Sequence, residues 1–172
     1  AEAVELAREA ERLGYARYWV SEHHGMASLA SSSPEILIAH VAAATSRIRV
    51  GAGGVMLPHY SAYKVAENFR LLEALHPNRI DLGLGRAPGG LPVATRALRE
   101  GRFRDADPYP RQVDDLIGCL YESLPSDHRY AGPLASPSIQ TAPEIWLLGS
   151  GDESARLAGE KGLAFSFAQF FG

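Results

Sequence analysis

The sequence alternates short β-forming runs with amphipathic segments of helical period, and this alternation restricts the fold more than any other feature. The clearest run, Arg79 to Arg86, places Ile80, Leu82 and Leu84 on one face and smaller residues on the other. The predicted strands are Tyr18 to Val20, Ile48 to Leu57, Arg79 to Arg86, Ile145 to Leu148 and Leu163 to Phe167. Because helical segments separate the strands, and the first three strands follow at intervals of about 30 residues, the pattern predicts βαβ units and a parallel sheet.

Helical segments open the chain and fill the intervals between the strands. Each has apolar residues at spacings of three and four, with polar residues between them. The predicted helices are Ala3 to Leu13, Pro34 to Thr45, Ser61 to Leu75, Pro110 to Leu124 and Asp152 to Lys161. Two stretches rich in proline, Ala87 to Pro110 and Pro125 to Pro143, are predicted as irregular connections, the first with one short helical stretch.

Composition argues against several classes of partner. The chain of 172 residues is 46% hydrophobic and 22% charged, with a formal net charge of -3. It can therefore form a core, but it has no basic stretch that would bind nucleic acid. No apolar run approaches the roughly 20 residues that a membrane span needs, so no membrane association is expected. The single cysteine, Cys119, and the lack of a signal-peptide pattern at the first residues favour a cytoplasmic protein.

The strand pattern also favours one parallel architecture over another. A doubly wound sheet can stop at five strands, whereas a (β/α)8 barrel needs eight strands and typically about 250 residues. Strands of an open sheet covered on both faces are usually apolar throughout. The small residues Asp81, Gly83 and Gly85 alternate instead with large apolar ones. They predict room for a flat ligand inside a barrel.

Two adjacent histidines, His23 and His24, directly follow the first predicted strand. Functional side chains of parallel barrels converge at this end of the strands. With an ordinary pKa near 6.5, a histidine can give or take a proton around neutrality, although a histidine in a polar loop can equally serve only to satisfy hydrogen bonds. A metal site with Glu22 is less favoured, because adjacent residues of an extended segment point to opposite faces and no third ligand is identifiable.

Glycines interrupt the second predicted strand at Gly51, Gly53 and Gly54. Glycine weakens a strand, so these positions indicate either the close approach of another group or a bulge. A second glycine-rich turn, Gly149 to Gly151, leads into the predicted helix that contains Ser154. Backbone N–H groups at such a helix start, together with hydroxyls, can bind a phosphate dianion. No Gly-x-Gly-x-x-Gly follows a strand, so no Rossmann nicotinamide site is predicted.

Five short pieces, spread in order over nearly the whole chain, carry a family resemblance. They are YWVSEHH (18–24), SSSPE (31–35), VGAGGVMLP (50–58), RIDLGLGRAPG (79–89) and IWLLGSG (145–151). In this order they resemble the bacterial luciferase-like family of flavin-dependent monooxygenases. The resemblance implies an α/β fold, the (β/α)8 TIM barrel, with reduced FMN at the carboxyl ends of its strands. On that alignment residues 1–172 are a single, incomplete barrel domain with about strands two to six.

The resemblance also implies roles for individual residues. His23 is the implied catalytic residue, placed beside the reactive edge of the flavin to assist proton transfer. The implied cofactor-binding residues are Gly53, Gly54, Arg86, Ser150, Gly151 and Ser154. A non-proline cis peptide at Gly53-Gly54 supports the ring, and Arg86 contacts the flavin or its phosphate, with a surface ion pair as the alternative. Asp152 and Glu153 would repel a phosphate that they faced, and no metal ion is expected.

The implied reaction is a monooxygenation. Reduced FMN, supplied by a separate flavin reductase, reacts with oxygen, and a small organic substrate is oxidised, an aldehyde being one candidate. Two alternatives remain open at this point: a deazaflavin-dependent oxidoreductase of the same fold, and a non-catalytic flavin-binding or structural half-barrel. The alanine-rich helix from Pro34 to Thr45 and the helix from Ser61 to Leu75 are expected to pair two copies of the chain in a homodimer.

Overall fold

Five parallel strands alternate with helices in the computed structural model, which describes residues 2–29, 31–100, 108–132 and 134–169. The strands are β1 (Arg17–Val20), β2 (Arg49–Met56), β3 (Ile80–Gly85), β4 (Glu144–Gly149) and β5 (Ala164–Phe167). The α-helices are α1 (Glu2–Arg12), α2 (Pro34–Ala43), α3 (Ala62–Leu75), α4 (Pro92–Leu98), α5 (Tyr109–Leu120) and α6 (Asp152–Lys161), and Leu57–His59 form a 3-10 helix.

The order of the strands in the sheet is the order of the strands in the chain. The sheet runs β1-β2-β3-β4-β5, and every neighbouring pair is parallel. A parallel sheet that adds each new strand on the same side is the arrangement of a TIM barrel, whereas a doubly wound sheet reverses its order at a switch point. The predicted α/β class is therefore confirmed, as a half-barrel of five parallel strands.

Local signals fix the ends of several helices as the sequence predicts. Pro34 occupies the first turn of α2, where its missing N–H costs no hydrogen bond. Ser61 precedes α3, and its hydroxyl accepts a hydrogen bond from the Lys64 N–H at 3.4 Å. Gly162 ends α6 in the left-handed conformation, with φ of 64°. These caps are local, so the sequence alone can predict them.

Helix α5 ends at Leu120, and the prediction that it continues to Leu124 is wrong. The cause is a long-range contact with Arg70, whose side chain is almost fully buried. Arg70 Nη1 donates to the Leu120 carbonyl at 2.7 Å, and Arg70 also pairs with Glu122. This contact supplies a partner for a carbonyl at the helix end, and Glu122 has a positive φ of 56°, which stops the helix.

The predicted connection from Ala87 to Pro110 contains α4 (Pro92–Leu98), which agrees with the short helical stretch expected there. Residues 101–107 of this connection lie outside the described residues, and α5 begins at Tyr109, one residue before the predicted start. None of the helices in the described part of the chain is long and apolar enough to cross a bilayer.

The core lies between the sheet and the helices. Successive strand residues point to opposite faces, and on β3 the side chains of Ile80, Leu82 and Leu84 are fully buried. The helices supply the other side of this cluster with Ile38, Val41, Val65, Phe69, Val113 and Leu116. The large apolar residues predicted on one face of β3 thus pack against the helical layer.

On the opposite face of the sheet, charged side chains fill the space at the amino ends of the strands, so this part of the face is not open to a ligand. Asp81, which is fully buried, accepts hydrogen bonds from Arg17 Nη1 at 2.8 Å, Arg49 Nε at 2.7 Å and Trp19 Nε1 at 2.9 Å. Arg17 also pairs with Glu144 at 2.9 Å. A buried carboxylate needs such partners, because desolvation of an unpaired charge is costly. The predicted room for a flat ligand is therefore absent beside Asp81.

Gly83, two residues after Asp81 on β3, also lies close to the neighbouring strands β2 and β4. A Cβ at Gly83 would lie 2.0 Å from the Ala52 carbonyl oxygen and 2.8 Å from Leu148 Cδ1. The absence of a side chain there serves the approach of β2 and β4, so the expected space beside Gly83 is filled as well. A ligand of the sheet must therefore lie toward the carboxyl ends of the strands.

Candidate functional site

A cis peptide bond joins Gly53 and Gly54 near the carboxyl end of β2, as the family resemblance implies. The pairing of β2 with β3 shifts between Ala52 and Val55, so the glycine pair forms an irregularity in the strand. On β1, Trp19 lies beside this irregularity: a Cβ at Gly53 would meet the Trp19 side chain at 3.2 Å. A Cβ at Gly54 would lie 2.8 Å from the Gly83 carbonyl oxygen, so the glycine pair allows the close approach of Trp19 on β1 and of the β3 backbone.

Glu22, directly after β1, lies at the centre of a buried hydrogen-bond network. Its side chain is fully buried. Oε2 accepts from the Met56 N–H at 2.9 Å, and Oε1 accepts from the Tyr60 hydroxyl at 2.7 Å. His24 Nε2 lies 2.6 Å from Oε1. The carboxylate thus joins the segment that follows β1 to the segment that follows β2.

Tyr60 acts as a donor in this network. Burial raises the pKa of the Tyr60 hydroxyl, and its hydrogen bond to Glu22 raises it further. The phenol therefore keeps its proton at neutral pH, and it stabilises the ionised carboxylate rather than competing with it.

Backbone hydrogen bonds hold the two histidines in place. The His23 N–H donates to the Ser31 carbonyl at 2.8 Å, and the His24 N–H donates to the Gly89 carbonyl at 3.0 Å. The two side chains differ more. His23 Nδ1 lies 3.2 Å from Ser21 Oγ, whereas the His24 ring has the buried carboxylate as its partner. His23 is thus the less constrained ring of the pair.

Arg86, at the end of β3, reaches the turn between β4 and α6. Its Nη1 forms an ion pair with Glu153 of the first turn of α6. The sequence offered two interpretations of Arg86, a flavin contact and a surface ion pair, and an ion pair is present. The partner nevertheless lies in the first turn of α6, which directly follows the predicted phosphate-binding turn Gly149 to Gly151, so Arg86 reaches the start of that helix.

The start of α6 is open to a ligand on its backbone side. Gly151 is the N-cap residue, and no side chain of the described residues caps this helix start. A Cβ at Gly151 would have no atom of another described residue within 4 Å. Ser154 points toward the turn, because its Oγ lies 2.7 Å from the position of a Cβ at Gly149. Ser150 is exposed at the same turn.

A separate cleft of about 690 Å3 lies in the helical layer, between the 3-10 helix, α3 and α5. Arg86 is on its wall, but His23, the glycine pair and Ser150 are not. The cleft is therefore not the surface that the predicted flavin-binding residues form. Among the described residues, no group of three or more histidine, cysteine, aspartate or glutamate side chains lies close enough to hold a metal ion.

Sequence reasoning missed the partners of the histidines. The sequence pattern offers a metal-ligand role for Glu22 and no role for Tyr60 or Met56. Glu22 carries a readable signal, since a glutamate between a buried strand and two histidines is well placed to pair with one of them. Tyr60 carries none, because it lies 38 residues away along the chain.

Comparison with known proteins identifies the family. A family model described as luciferase-like monooxygenase matches residues 1–171 of the chain. The chain belongs to the luciferase-like monooxygenase family. The resemblance inferred from the five sequence pieces is therefore confirmed, and with it the luciferase-like barrel type of the half-barrel described above.

Individual members of the luciferase-like family are closely similar to this chain. An uncharacterized Bacillus subtilis protein, YwcH, is 60% identical over 98% of the chain and 51% of its own length. The N-acetyl-S-alkylcysteine monooxygenase of the same organism is 46% identical over 97% of the chain and 50% of its own length. The crystal structure of apo-MsnO8 superimposes with a TM-score of 0.86 at 46% identity, covering 98% of the chain and 48% of that protein. The chain thus spans about half the length of these relatives.

More distant structures share the luciferase-like fold. The oxygenating constituent of the Pseudomonas putida 3,6-diketocamphane monooxygenase, solved with FMN, has a TM-score of 0.72 at 21% identity, over 95% of this chain and 51% of its own. An F420-dependent secondary alcohol dehydrogenase has a TM-score of 0.68 at 20% identity, over 92% and 51%. At these identities the likeness concerns the fold alone.

Proposed function

We propose that this protein is an FMN-dependent monooxygenase that uses reduced FMN and oxygen to oxidise a small organic substrate. The observation that carries the proposal is the contact of Arg86 with the first turn of α6, at the same edge of the sheet as the glycine pair Gly53-Gly54 of β2. One part offers positive charge and free N–H groups, and the other offers flat backbone. A phosphorylated, planar cofactor needs both.

The turn at α6 fits a phosphate. Backbone N–H groups at a helix start carry partial positive charge and bind anions, and the hydroxyls of Ser150 and Ser154 add donors. Glu153 opposes the fit in part, because its carboxylate already occupies Arg86. Both side chains of this pair are substantially exposed, so the pair is weak. A phosphate dianion can displace Glu153 from the guanidinium.

The glycine pair fits a planar ring. Gly53 and Gly54 present no side chain above the backbone, and Trp19 supports the strand beside them. Reduced FMN bound here would supply the electrons that activate oxygen. The role of the chain itself is then to hold the ring against β2 and the phosphate at α6, since correct orientation of the reactants removes much of the entropic barrier.

His23 is the residue proposed to move a proton. Its ring is partly exposed, and its only side-chain partner among the described residues is the Ser21 hydroxyl, which can act as donor or acceptor. His23 can therefore exchange a proton at Nε2 while Nδ1 stays hydrogen-bonded. Loss of such a group typically lowers the rate by about 10² or more.

The activities named for related proteins support an oxygenase and leave one alternative reaction. One similar protein is an N-acetyl-S-alkylcysteine monooxygenase, and an oxygenase of the same fold was solved with FMN. Hydride transfer with a deazaflavin is the second candidate, because an F420-dependent dehydrogenase also shares the fold. A small organic compound, such as an aldehyde or a thioether, is the proposed class of substrate.

The remaining parts of the proposal concern the source of reduced FMN, the compartment, the domain and the oligomeric state. A separate flavin reductase supplies reduced FMN, and the protein acts in the cytoplasm. Residues 1–172 form one domain, equivalent to strands two to six of an eight-stranded barrel. The chain pairs with a second copy through α2 and α3, both of which present exposed apolar side chains, Ile36 on α2 and Leu71 and Leu75 on α3.

Oxygen uptake tests the proposed function. The protein is mixed with photochemically reduced FMN or with reduced F420, and oxygen consumption and oxidised product are measured together. The proposal expects FMN-dependent product, and a loss of about 10² or more in His23→Ala with FMN affinity changed only a few fold. Turnover with F420 and no oxygen uptake would favour the dehydrogenase. Flavin binding without turnover, or no binding, would favour a non-catalytic half-barrel.

A further inference from the structure

The Glu22 carboxylate is the most fully enclosed charged group next to the two histidines. Three groups lie within hydrogen-bonding distance of its oxygens: the Met56 N–H, the Tyr60 hydroxyl and His24 Nε2. The first belongs to the last residue of β2 and the second to the residue after the 3-10 helix, so Glu22 is held independently of the histidines. The third then transmits that fixed position to the His24 ring.

The geometry determines which nitrogen of His24 carries a proton. Tyr60 donates its own proton to Glu22 Oε1, and its oxygen is 3.4 Å from His24 Nε2, too far for a strong bond. At 2.6 Å, Nε2 and a carboxylate oxygen repel unless a proton lies between them. Because Glu22 already accepts hydrogen bonds from Met56 and Tyr60, we assign the proton to Nε2, and in the neutral ring Nδ1 is then the acceptor.

His59 reinforces this arrangement from the other side. Its Nε2 lies 2.7 Å from the Pro88 carbonyl, which can only accept, so the His59 proton is also on Nε2. The His59 ring meets the His24 ring edge to face, with 6.0 Å between the ring centroids. Segments after β1, β2 and β3 thus enclose His24, and its ring has little freedom to turn.

We propose that Glu22 is a positioning residue, which fixes the His24 ring with its proton on Nε2 and thereby holds the His23–His24 segment for the reaction. Glu22 acts only through His24 and the backbone, since it is buried away from any substrate. A base oriented by a third group is a general device of proton-transfer sites. The role in catalysis rests on the proposed function, whereas the placement of the proton does not.

The first experiment observes the proton directly and needs no flavin. The full chain is labelled with 15N-histidine, and imidazole spectra are recorded at pH 9, with His24→Ala to identify the His24 signals among six histidines. We expect the Nε2-protonated form of His24 to exceed the other by about tenfold in the parent. Glu22→Gln should remove most of this excess, because the amide can pair with either form of the ring.

Two variants separate Glu22 from its surroundings. Tyr60→Phe removes one donor but leaves the carboxylate, so it should retain the excess of Nε2-protonated His24 even if Glu22→Gln fails to fold. Glu67→Gln, an exchange of the same kind at a half-buried glutamate of α3 that pairs with Lys64, should not change the ratio. An unprotonated Nε2 in the parent, an unchanged ratio in Glu22→Gln, or loss of the ratio in Tyr60→Phe would each overturn the assignment.

The second experiment asks whether the positioning matters for turnover. With reduced FMN, Glu22→Gln should lower kcat by about tenfold or more while flavin affinity and KM change little. The double variant Glu22→Gln, His24→Ala should be no worse than His24→Ala alone, since both changes break the same link. Additive losses would overturn the link. If the parent has no oxygenase activity, the proposed function fails, and the spectra still decide the position of the proton.

Discussion

At the scale of single residues, Glu153 is the group that stands between Arg86 and a phosphate. The carboxylate pairs with Arg86, and its side chain is 75% exposed. Removing its charge breaks this ion pair and takes a repelling anion away from the start of α6. Glu153→Gln should therefore tighten FMN binding by a few fold, as measured by fluorescence quenching of the flavin, with a smaller gain at high salt.

Asp152 provides a matched control for this prediction. It also lies in the first turn of α6 and favours the helix dipole, but it pairs with Arg156 at 3.3 Å rather than with Arg86. Asp152→Asn and Glu153→Gln should lower stability by similar small amounts. Equal effects of the two changes on FMN affinity would indicate a general electrostatic effect and count against phosphate contact by Arg86.

At the scale of strands, Gly83 is required by the neighbouring strand. A Cβ at this position would lie 2.0 Å from the Ala52 carbonyl oxygen of β2. Gly83→Ala should push the two strands apart and lower the free energy of unfolding by about 1 to 3 kcal/mol or more, as urea denaturation can measure. Gly159, in α6, has no atom within 4 Å of an added Cβ. Gly159→Ala should raise the free energy of unfolding by up to about 1 kcal/mol. A lower free energy of unfolding in Gly159→Ala would contradict the steric explanation for Gly83.

The contact between α1 and the residues before β2 predicts that the stability of the protein depends on pH. Glu11 accepts hydrogen bonds from the N–H groups of Ser46 and Ile48 at 2.9 Å and of Arg47 at 2.5 Å. These bonds lower the Glu11 pKa from 4.5 to about 2. The ionised form is thus favoured in the folded protein. Its contribution to stability is complete above about pH 4.5 and is lost as the pH falls toward 2.

Glu11→Gln tests this dependence. The variant should be less stable than the parent at pH 7, by about 1 kcal/mol after solvent screening, and the difference should shrink between pH 5 and pH 3. Glu5→Gln, an exposed change on the same helix, should show no such trend. A difference that stays constant over this range, as measured by urea denaturation at each pH, would exclude the carboxylate as its source.

At the scale of the whole molecule, two helices present apolar side chains outward. On α2 the exposed residues Ile36, His40 and Ala43 follow at helical spacing, and on α3 Leu71 and Leu75 do so. Ala42, by contrast, packs in the core, so only part of the alanine-rich run is available for contact with a second copy. This outward face is the expected dimer contact.

Light scattering at micromolar concentration should report a dimer. Ile36→Asp should weaken the dimer by about tenfold or more, because it buries a charge in the contact. Leu6→Asp on α1 replaces an equally apolar residue, 61% exposed against 70% for Ile36, and should leave the association unchanged. A parent that is monomeric at this concentration, or equal weakening by both variants, would place the contact elsewhere or remove it.

Most of the secondary structure could be predicted from the sequence because its causes are local. Strand alternation around Ile80 to Leu84, the proline at the start of α2 and the glycine at the end of α6 act within a few residues. The end of α5 could not, since Arg70 lies 50 residues from the Leu120 carbonyl that it binds. The family was also readable, because its motifs are short and follow in order.

What the sequence alone determined is therefore the β/α alternation, the family and the set of residues at the carboxyl ends of the strands. The pairing of those residues comes from the tertiary structure. It filled the space beside Asp81 with arginines 64 and 32 residues away, gave Arg86 a partner 67 residues away, and placed Tyr60 on Glu22. The physical reason is that a buried charge requires a partner, but the residues next to it in the sequence do not determine which side chain that partner is. The parallel packing of strands far apart in the chain selects the partner that comes within hydrogen-bonding distance.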